Sequence, residues 1–348
     1  MTAILGAGLF VKQAYLPALT ALGSAVPPLK AVYSRSEKSS SELALEAAKL
    51  LDLSPDIYYD IGDDPSKNLD VLLGRSDISA VIIALPITLQ PDIVLKCLKA
   101  GKHVLSEKPM APDVARGLKL IRDAEPLCKQ GGLIWRVAEN FEAEPGYRAA
   151  GEIVRSGKIG KWYNTPWRTV PDVSTLDGGV HTVAALRTIL PEPFTELSGF
   201  ASLNKDYLIP HDTIHSVVRA GHHYHGIVEM TFASPTKSTP KGDNIVITGT
   251  DGWLACNKVR DSLELVIKVR VKEEGKPEEE QEYQEKEQTL SYPSRNGVED
   301  ELLDFFNKIQ GREALDIGRP RNALKDVAFI QAALTSEGKL IDLLALVA

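Results

Sequence analysis

Three short stretches of this chain carry groups that could do chemistry. Ser106-Glu107-Lys108-Pro109 offers an ammonium, and Leu176-Asp177-Gly178-Gly179-Val180-His181 offers a carboxylate and an imidazole. Gly6-Ala7-Gly8 offers a bare backbone turn. An imidazole with a carboxylate and a lysine suits alcohol/carbonyl redox. One group moves the hydroxyl proton while a cation steadies developing alkoxide charge. Asp177 and His181 are four residues apart at a helix start, a spacing that lets both face one side of the first turn. The two glycines beside them would permit close approach of a substrate. Blander uses stay open: Asp177 as a helix cap, and His181 as a hydrogen-bonded core residue.

The glycine turn sits between an apolar run, Thr2–Leu5, and a helical period reaching Leu22. Gly6 permits a tight turn and Gly8 lets a backbone approach a pyrophosphate. The following helix, opening at Leu9 and Phe10, presents unpaired N–H groups and a positive dipole end to that anion. Val11 stands where the third glycine of a Gly-x-Gly-x-x-Gly pattern would be, so the context of strand, turn and helix carries the reading. The second strand, Leu29–Tyr33, is followed by Ser34-Arg35-Ser36. A carboxylate there would hold a ribose diol and repel a 2′-phosphate; an arginine flanked by hydroxyls would bind the phosphate. The expected cofactor is therefore NADP(H) in preference to NAD(H).

The elements that must position these groups are legible as strand–helix alternation. Short strands are expected at Ile57–Tyr59, Ala80–Ala84, His103–Leu105 and Leu133–Val137. Helices are expected at Leu43–Leu51, Pro91–Ala100 and Pro112–Lys129. Continuously apolar strands alternating with helices mean a parallel sheet covered on both faces. Lys108 then stands at the carboxyl end of a strand, where ligands of doubly wound sheets bind. Leu85 and Pro86, after the Ala80–Ala84 strand, belong to the same expected cofactor rim, with Glu107 beside Lys108. After Glu139 the pattern changes. Tyr147–Ser156 and Val180–Leu190 read as helices, and Leu197 to about Leu290 reads as strands joined by short turns, an antiparallel sheet with one wet face. Val298–Ile309 and Arg321–Ala333 are amphipathic helices. The expected fold class is α/β: a Rossmann domain over residues 1–125, then an α+β domain over 126–348 with an open, mostly antiparallel sheet. The final helix, about 319–335, is expected to pack back on the first domain.

Composition excludes several functions. At 348 residues, with 40 Lys+Arg against 47 Asp+Glu and a net charge of −7, the chain is large enough for two cores and has the wrong sign for a polyanion binder. Nucleic acid is not an expected partner. Cys97, Cys128 and Cys256 are far apart with no paired spacing, which fits a reducing compartment and leaves no zinc knuckle. The start lacks a signal-peptide n-region, and prolines interrupt the longest uncharged stretches, so no membrane association is expected and the cytoplasm is the expected location. His211, His215, His222, His223 and His225 read as strand and hairpin-tip residues with no partner ligands at metal spacing, so no metal is expected.

Taken together, Gly-x-Gly at the start, Glu107-Lys108-Pro109, Ala138-Glu139-Asn140 and Asp177-Gly-Gly-Val-His181 resemble the glucose-fructose oxidoreductase/inositol dehydrogenase/rhizopine catabolism family, most closely its fungal NADP-dependent branch. The resemblance spans nearly the whole chain, including Gly318-Arg-Pro-Arg-Asn-Ala-Leu-Lys-Asp. It implies that Lys108 is the catalytic lysine and that Asp177 and His181 are the substrate-binding and proton-transferring pair. It also implies that Pro109 follows a cis bond and that Trp167-Arg168 touches the nicotinamide half of the cofactor. A sugar, polyol or small carbonyl compound is the implied substrate. The open sheet of the second domain is the implied dimer or tetramer contact. Two departures stand out: Gln90 occupies the place of a histidine, and the segment between Lys161 and Asp177 is short. A non-catalytic dinucleotide-binding regulator of the same fold is the alternative function.

Overall fold

The structure, a computed structural model, describes residues 1–61, 64–169, 175–233, 244–272, 283–294 and 297–348. By contacts it divides into two units, Met1–Ala143 with Gly297–Val327, and Glu144–Asn296 with Ala328–Ala348. The break after residue 125 expected from the sequence thus falls 18 residues later, after Ala143, and the chain returns to the first unit before its end.

The first unit is built on a six-stranded parallel sheet. Its strands are β1 (Thr2–Leu5), β2 (Leu29–Ser36), β3 (Asp56–Ile61), β4 (Ala80–Ile83), β5 (His103–Glu107) and β6 (Trp135–Ala138), ordered β3-β2-β1-β4-β5-β6. Helices α1 (Leu16–Leu22), α2 (Glu37–Leu51), α3 (Leu69–Leu73), α4 (Gln90–Lys99) and α5 (Val114–Gly131) connect them. β1 and β4 are fully buried along their length, as continuous Thr-Ala-Ile-Leu and Ala-Val-Ile-Ile runs require when both faces are covered. Strand order reverses beside β1, between β2 and β4, which opens a crevice at the carboxyl ends there. α5 starts two residues later than expected: Asp113, not Pro112, opens it, its carboxylate accepting from the Arg116 amide at 2.8 Å.

The second unit starts with α6 (Pro145–Arg155), β7 (Trp162–Thr169) and α7 (Thr175–Ile189). Strands β8 (Phe194–Ser202), β9 (Thr213–Ala220), β10 (Tyr224–Thr231), β11 (Asn244–Gly249), β12 (Gly252–Val259), β13 (Ser262–Lys272) and β14 (Tyr283–Pro293) follow. With a two-residue strand, β15 (Ile341–Asp342), they form a nine-stranded sheet ordered β14-β13-β12-β11-β7-β10-β9-β8-β15. It is mostly antiparallel, but β7 pairs parallel to β10. β9 alternates strictly between buried and exposed residues over most of its length, so one face is packed and the other is open.

Three helices close the chain's fold. α8 (Val298–Ile309) lies in the first unit, where Leu302, Phe305 and Phe306 join Val11, Tyr15 and Leu16 in one buried cluster. α9 (Pro320–Thr335) begins in the first unit and ends in the second. Its Leu324 fills the space beside Gly117 of α5, where a Cβ would meet it at 2.5 Å. The last element, α10 (Leu343–Leu346), is capped by Asp342.

Candidate functional site

Four strand ends of the first unit carry the candidate cofactor residues, and the sheet order sets them along one rim. After β1, the Gly6 amide donates to the Tyr33 carbonyl at 2.8 Å, tying the turn to the end of β2. Gly6 has φ +124°, and a Cβ there would stand 2.0 Å from the Ala84 carbonyl oxygen beyond β4. Only glycine fits. Gly8 is different: a Cβ on it would meet nothing within 4 Å. Leu9 and Phe10, next along, are 73% and 44% exposed. Open space over a glycine backbone, flanked by exposed apolar side chains, is the form of a cradle that a dinucleotide would cover, so the residues present fit that cofactor. Val11 is wholly buried, and the helix opens with a π turn over Val11–Tyr15 before α1.

At the end of β2, Arg35 is exposed. The Ser36 hydroxyl is already engaged as the cap of α2, accepting from the Ser39 amide, while the Ser34 amide donates to the Ser40 hydroxyl. Of the three residues expected to meet a 2′-phosphate, Arg35 has its functional group in solvent. Leu85 and Pro86 follow β4 at the surface.

After β5, the half-buried Lys108 leads into a cis Lys108–Pro109 bond, as the resemblance implies. Buried groups hold this corner. The Glu107 carboxylate accepts the Tyr15 hydroxyl at 2.6 Å and the Lys108 amide at 3.1 Å. Gln90, the departure from the family pattern, is buried at the start of α4 and donates to the Pro109 carbonyl at 3.4 Å. The tyrosine is a residue that sequence reasoning passed over. It links the helix of the glycine turn to the strand end bearing Lys108. Burial and the neighbouring Glu107 carboxylate push its hydroxyl well above the usual tyrosine range, so it stays a donor. Beneath lies a second unexpected group, Glu301 of α8. Burial, then repulsion from Glu107, Glu139, Glu142 and Asp304, raises its carboxyl far above the ordinary range. No signal in an acidic helix start could have marked it as buried.

In the second unit, Asp177 and His181 lie one helical turn apart on α7, both half-buried. The helix starts at Thr175, so Asp177 is inside its first turn rather than before it. Gly179 serves packing here, since a Cβ would meet Ile330 of α9 at 2.7 Å. The expectation that it opens space for a ligand is corrected. Trp167 and Arg168 belong to β7, opposite Val228 and Glu229 of β10, and their side chains lie outside the described residues. Residues 170–174 of the short segment also lie outside them.

Cys97 is fully buried, and desolvation pushes its thiol up to about 12, so it packs and does not react. Among the described residues no three His, Cys, Asp or Glu side chains group to hold a metal ion, and no helix is long and apolar enough to cross a membrane.

Comparison with known proteins matches residues 1–130 to the GFO_IDH_MocA oxidoreductase family, NAD-binding Rossmann fold, and residues 153–340 to the C-terminal α/β domain of that family. The chain belongs to this family. Dehydrogenase FPY6 of Fusarium mangiferae is 35% identical over 96% of this chain and 95% of its own length. An oxidoreductase of Thermotoga maritima superposes with a TM-score of 0.79 at 25% identity, covering 99% of this chain and 98% of that one. A levoglucosan dehydrogenase in complex with NADH and levoglucosan shares the fold, with a TM-score of 0.72 at 18% identity, 98% of each chain being covered. The family's fold, a Rossmann sheet and an antiparallel-rich second sheet, is the one described above, and the chain is an oxidoreductase of that family.

Proposed function

We propose that this chain is an NADP(H)-dependent oxidoreductase acting on a hydroxyl or carbonyl carbon of a sugar, polyol or small carbonyl compound. The observation that carries the reading is the rim of the first unit. One sheet order puts the glycine cradle, Arg35, Leu85-Pro86 and Glu107-Lys108 at neighbouring strand ends. Nicotinamide, when bound, supplies or accepts the hydride. The chain's own residues do the rest. Gly6 and Gly8 bring bare backbone to the pyrophosphate, with Leu9 and Phe10 flanking it. Arg35, with Ser34 and Ser36, takes the 2′-phosphate. Lys108, set by the Glu107–Tyr15 bond, steadies negative charge on the substrate oxygen. His181 moves the hydroxyl proton and Asp177 orients it or the substrate. Trp167 and Arg168 meet the nicotinamide half. The levoglucosan dehydrogenase neighbour binds a sugar and NADH; the sugar supports the substrate class, and the cofactor makes the NADP preference the part to test first.

The protein is read as cytoplasmic and as a homodimer or homotetramer joined through the second unit's sheet. On the open face, Ile227 and Val217 are direct cross-strand partners, 52% and 59% exposed, with Phe200 of β8 beside them at 67%. An apolar patch across three strands is what an interface between copies covers.

Fluorescence titration with NADPH and NADH, then turnover of a sugar and carbonyl panel, tests the reading. NADPH is expected to bind the more tightly. Lys108→Ala should hold NADPH affinity within a few-fold while turnover falls roughly 100-fold or more. Full activity in that variant removes Lys108 from the chemistry. Binding without turnover on any substrate moves the chain to the regulatory alternative.

A further inference from the structure

The first unit holds a second concavity, far from the rim in the sheet's own terms. It lies at the amino end of β6, between the carboxyl end of α5 and the start of α9, whereas the cofactor residues follow the carboxyl ends of the strands. Its volume is about 630 Å³, within the range of small-molecule sites.

The charge of this cleft is opposite to that of the chain. Lys129, Arg136, Arg319, Arg321 and Lys325 line it, against one carboxylate, Glu125. In a protein of net charge −7, five cations converging on one hollow is an arrangement that mutual repulsion opposes. The carboxylates around them, Asp316, Glu125 and, near Arg136, Asp304 and Glu142, are fewer than the cations they face. Asp316, beneath, is shared by three cations: Arg136 at 2.7 Å, Lys308 at 3.3 Å and Arg319. Glu125 takes Arg321 at 2.6 Å. Lys129 and Lys325 are exposed and make no ion pair among the described residues. Arg136 is mostly buried with its Nε lacking a hydrogen-bond partner. α9 also directs its positive dipole end here, beginning at Pro320. The floor is apolar, with Trp135, Leu133 and Ile134 contributing.

We infer that this cleft binds a phosphorylated small molecule with a flat or apolar body, at a site separate from the cofactor rim. Guanidinium forks and the helix start would hold the phosphate, the lysines would close over it, and the apolar floor would take the remainder of the ligand. The inference does not depend on the proposed reaction.

The test is calorimetric titration of the full chain with 4-nitrophenyl phosphate and with inorganic phosphate. The aryl phosphate is expected to bind, and more tightly than phosphate alone. Lys129→Gln/Lys325→Gln, two exposed and unpaired positions whose loss leaves the fold alone, should weaken it about tenfold or more, the scale of charge-assisted contacts. Arg35→Asp at the rim, and a control pair in the second unit, Lys258→Gln/Lys286→Gln, should bind as the native chain does. No heat with the native chain overturns the site. So does an unchanged isotherm in Lys129→Gln/Lys325→Gln, or equal loss in the control pair, which would mean diffuse charge attraction. Loss in Arg35→Asp would place the anion at the rim and overturn it equally.

Discussion

Gly6 and Gly8 stand two residues apart and fail in different ways when a methyl group is added. At Gly6 the added carbon collides with the Ala84 carbonyl on a backbone already at φ +124°. Gly6→Ala should therefore lose stability, by at least about 1–3 kcal/mol from the conformation alone, seen as a lower urea midpoint. Gly8→Ala meets no protein atom. Its urea midpoint should match the native chain within about 0.5 kcal/mol, while dinucleotide affinity falls. Equal loss of stability in both variants would show that Gly8, too, is structural. Glu301 makes a second residue-scale prediction. Its folded pKa is raised, so the folded state holds the proton more tightly than the unfolded chain does. The stability this proton contributes is complete below the unfolded glutamate value, about pH 4.3, and is lost as pH rises through the raised folded value. Glu301→Gln should thus match the native chain near pH 4 and exceed it above, the gap widening by up to about 1.4 kcal/mol per pH unit. Urea midpoints from acid to neutral pH read this difference; a constant gap would show that Glu301 does not titrate in that window.

At the scale of elements, legibility in the sequence followed how local the causes were. β1, β4 and α8 announce themselves because apolar runs and periods need no knowledge of their neighbours; α8 spans Val298–Ile309, as its amphipathic pattern requires. β7 does not. Pro166 and the polar Asn164-Thr165 pair argue against a strand, and yet Trp162–Thr169 is central, between β11 and β10. Long-range pairing overrode local preference. α7 begins at Thr175, ahead of the Val180 start that the sequence implies, because Asp-Gly-Gly reads as a turn, whereas packing of Gly179 against Ile330 makes glycine useful inside the helix. That Gly6, Arg35 and Lys108 stand at the ends of neighbouring strands is legible from the strand–helix alternation. Tyr15 and its bond to Glu107 were not, since neither residue marks the other in sequence. On the open sheet, Val217→Lys/Ile227→Lys puts like charges on directly opposed positions of β9 and β10. If that face joins copies, the pair should lower the oligomer mass in multi-angle light scattering; an unchanged mass would exclude it.

At the scale of the molecule, the first unit is discontinuous. Residues 297–327 return to it after the whole of the second unit has been made. Phe305 and Phe306 pack with Tyr15 and Leu16 and are at most 1% exposed, so a chain ending at residue 143 leaves a hole in its core. The fragment 1–143 should be aggregation-prone or loosely packed, and linking 297–327 to it should restore cooperative unfolding; deleting two buried phenylalanines costs about 3–5 kcal/mol each. A sharply melting 1–143 fragment would contradict this.

The bond from the Trp135 indole to the Ser106 hydroxyl, 3.1 Å long, gives the protein an optical consequence. Trp135 lies on β6, and Ser106 lies on β5 immediately before Glu107, the residue that Lys108 follows. With Trp162, Trp167 and Trp253 replaced by phenylalanine, the remaining indole becomes a native dye whose emission wavelength follows the polarity and hydrogen bonding around that strand. Light from one ring would then report on the ends of β5 and β6 without any attached label.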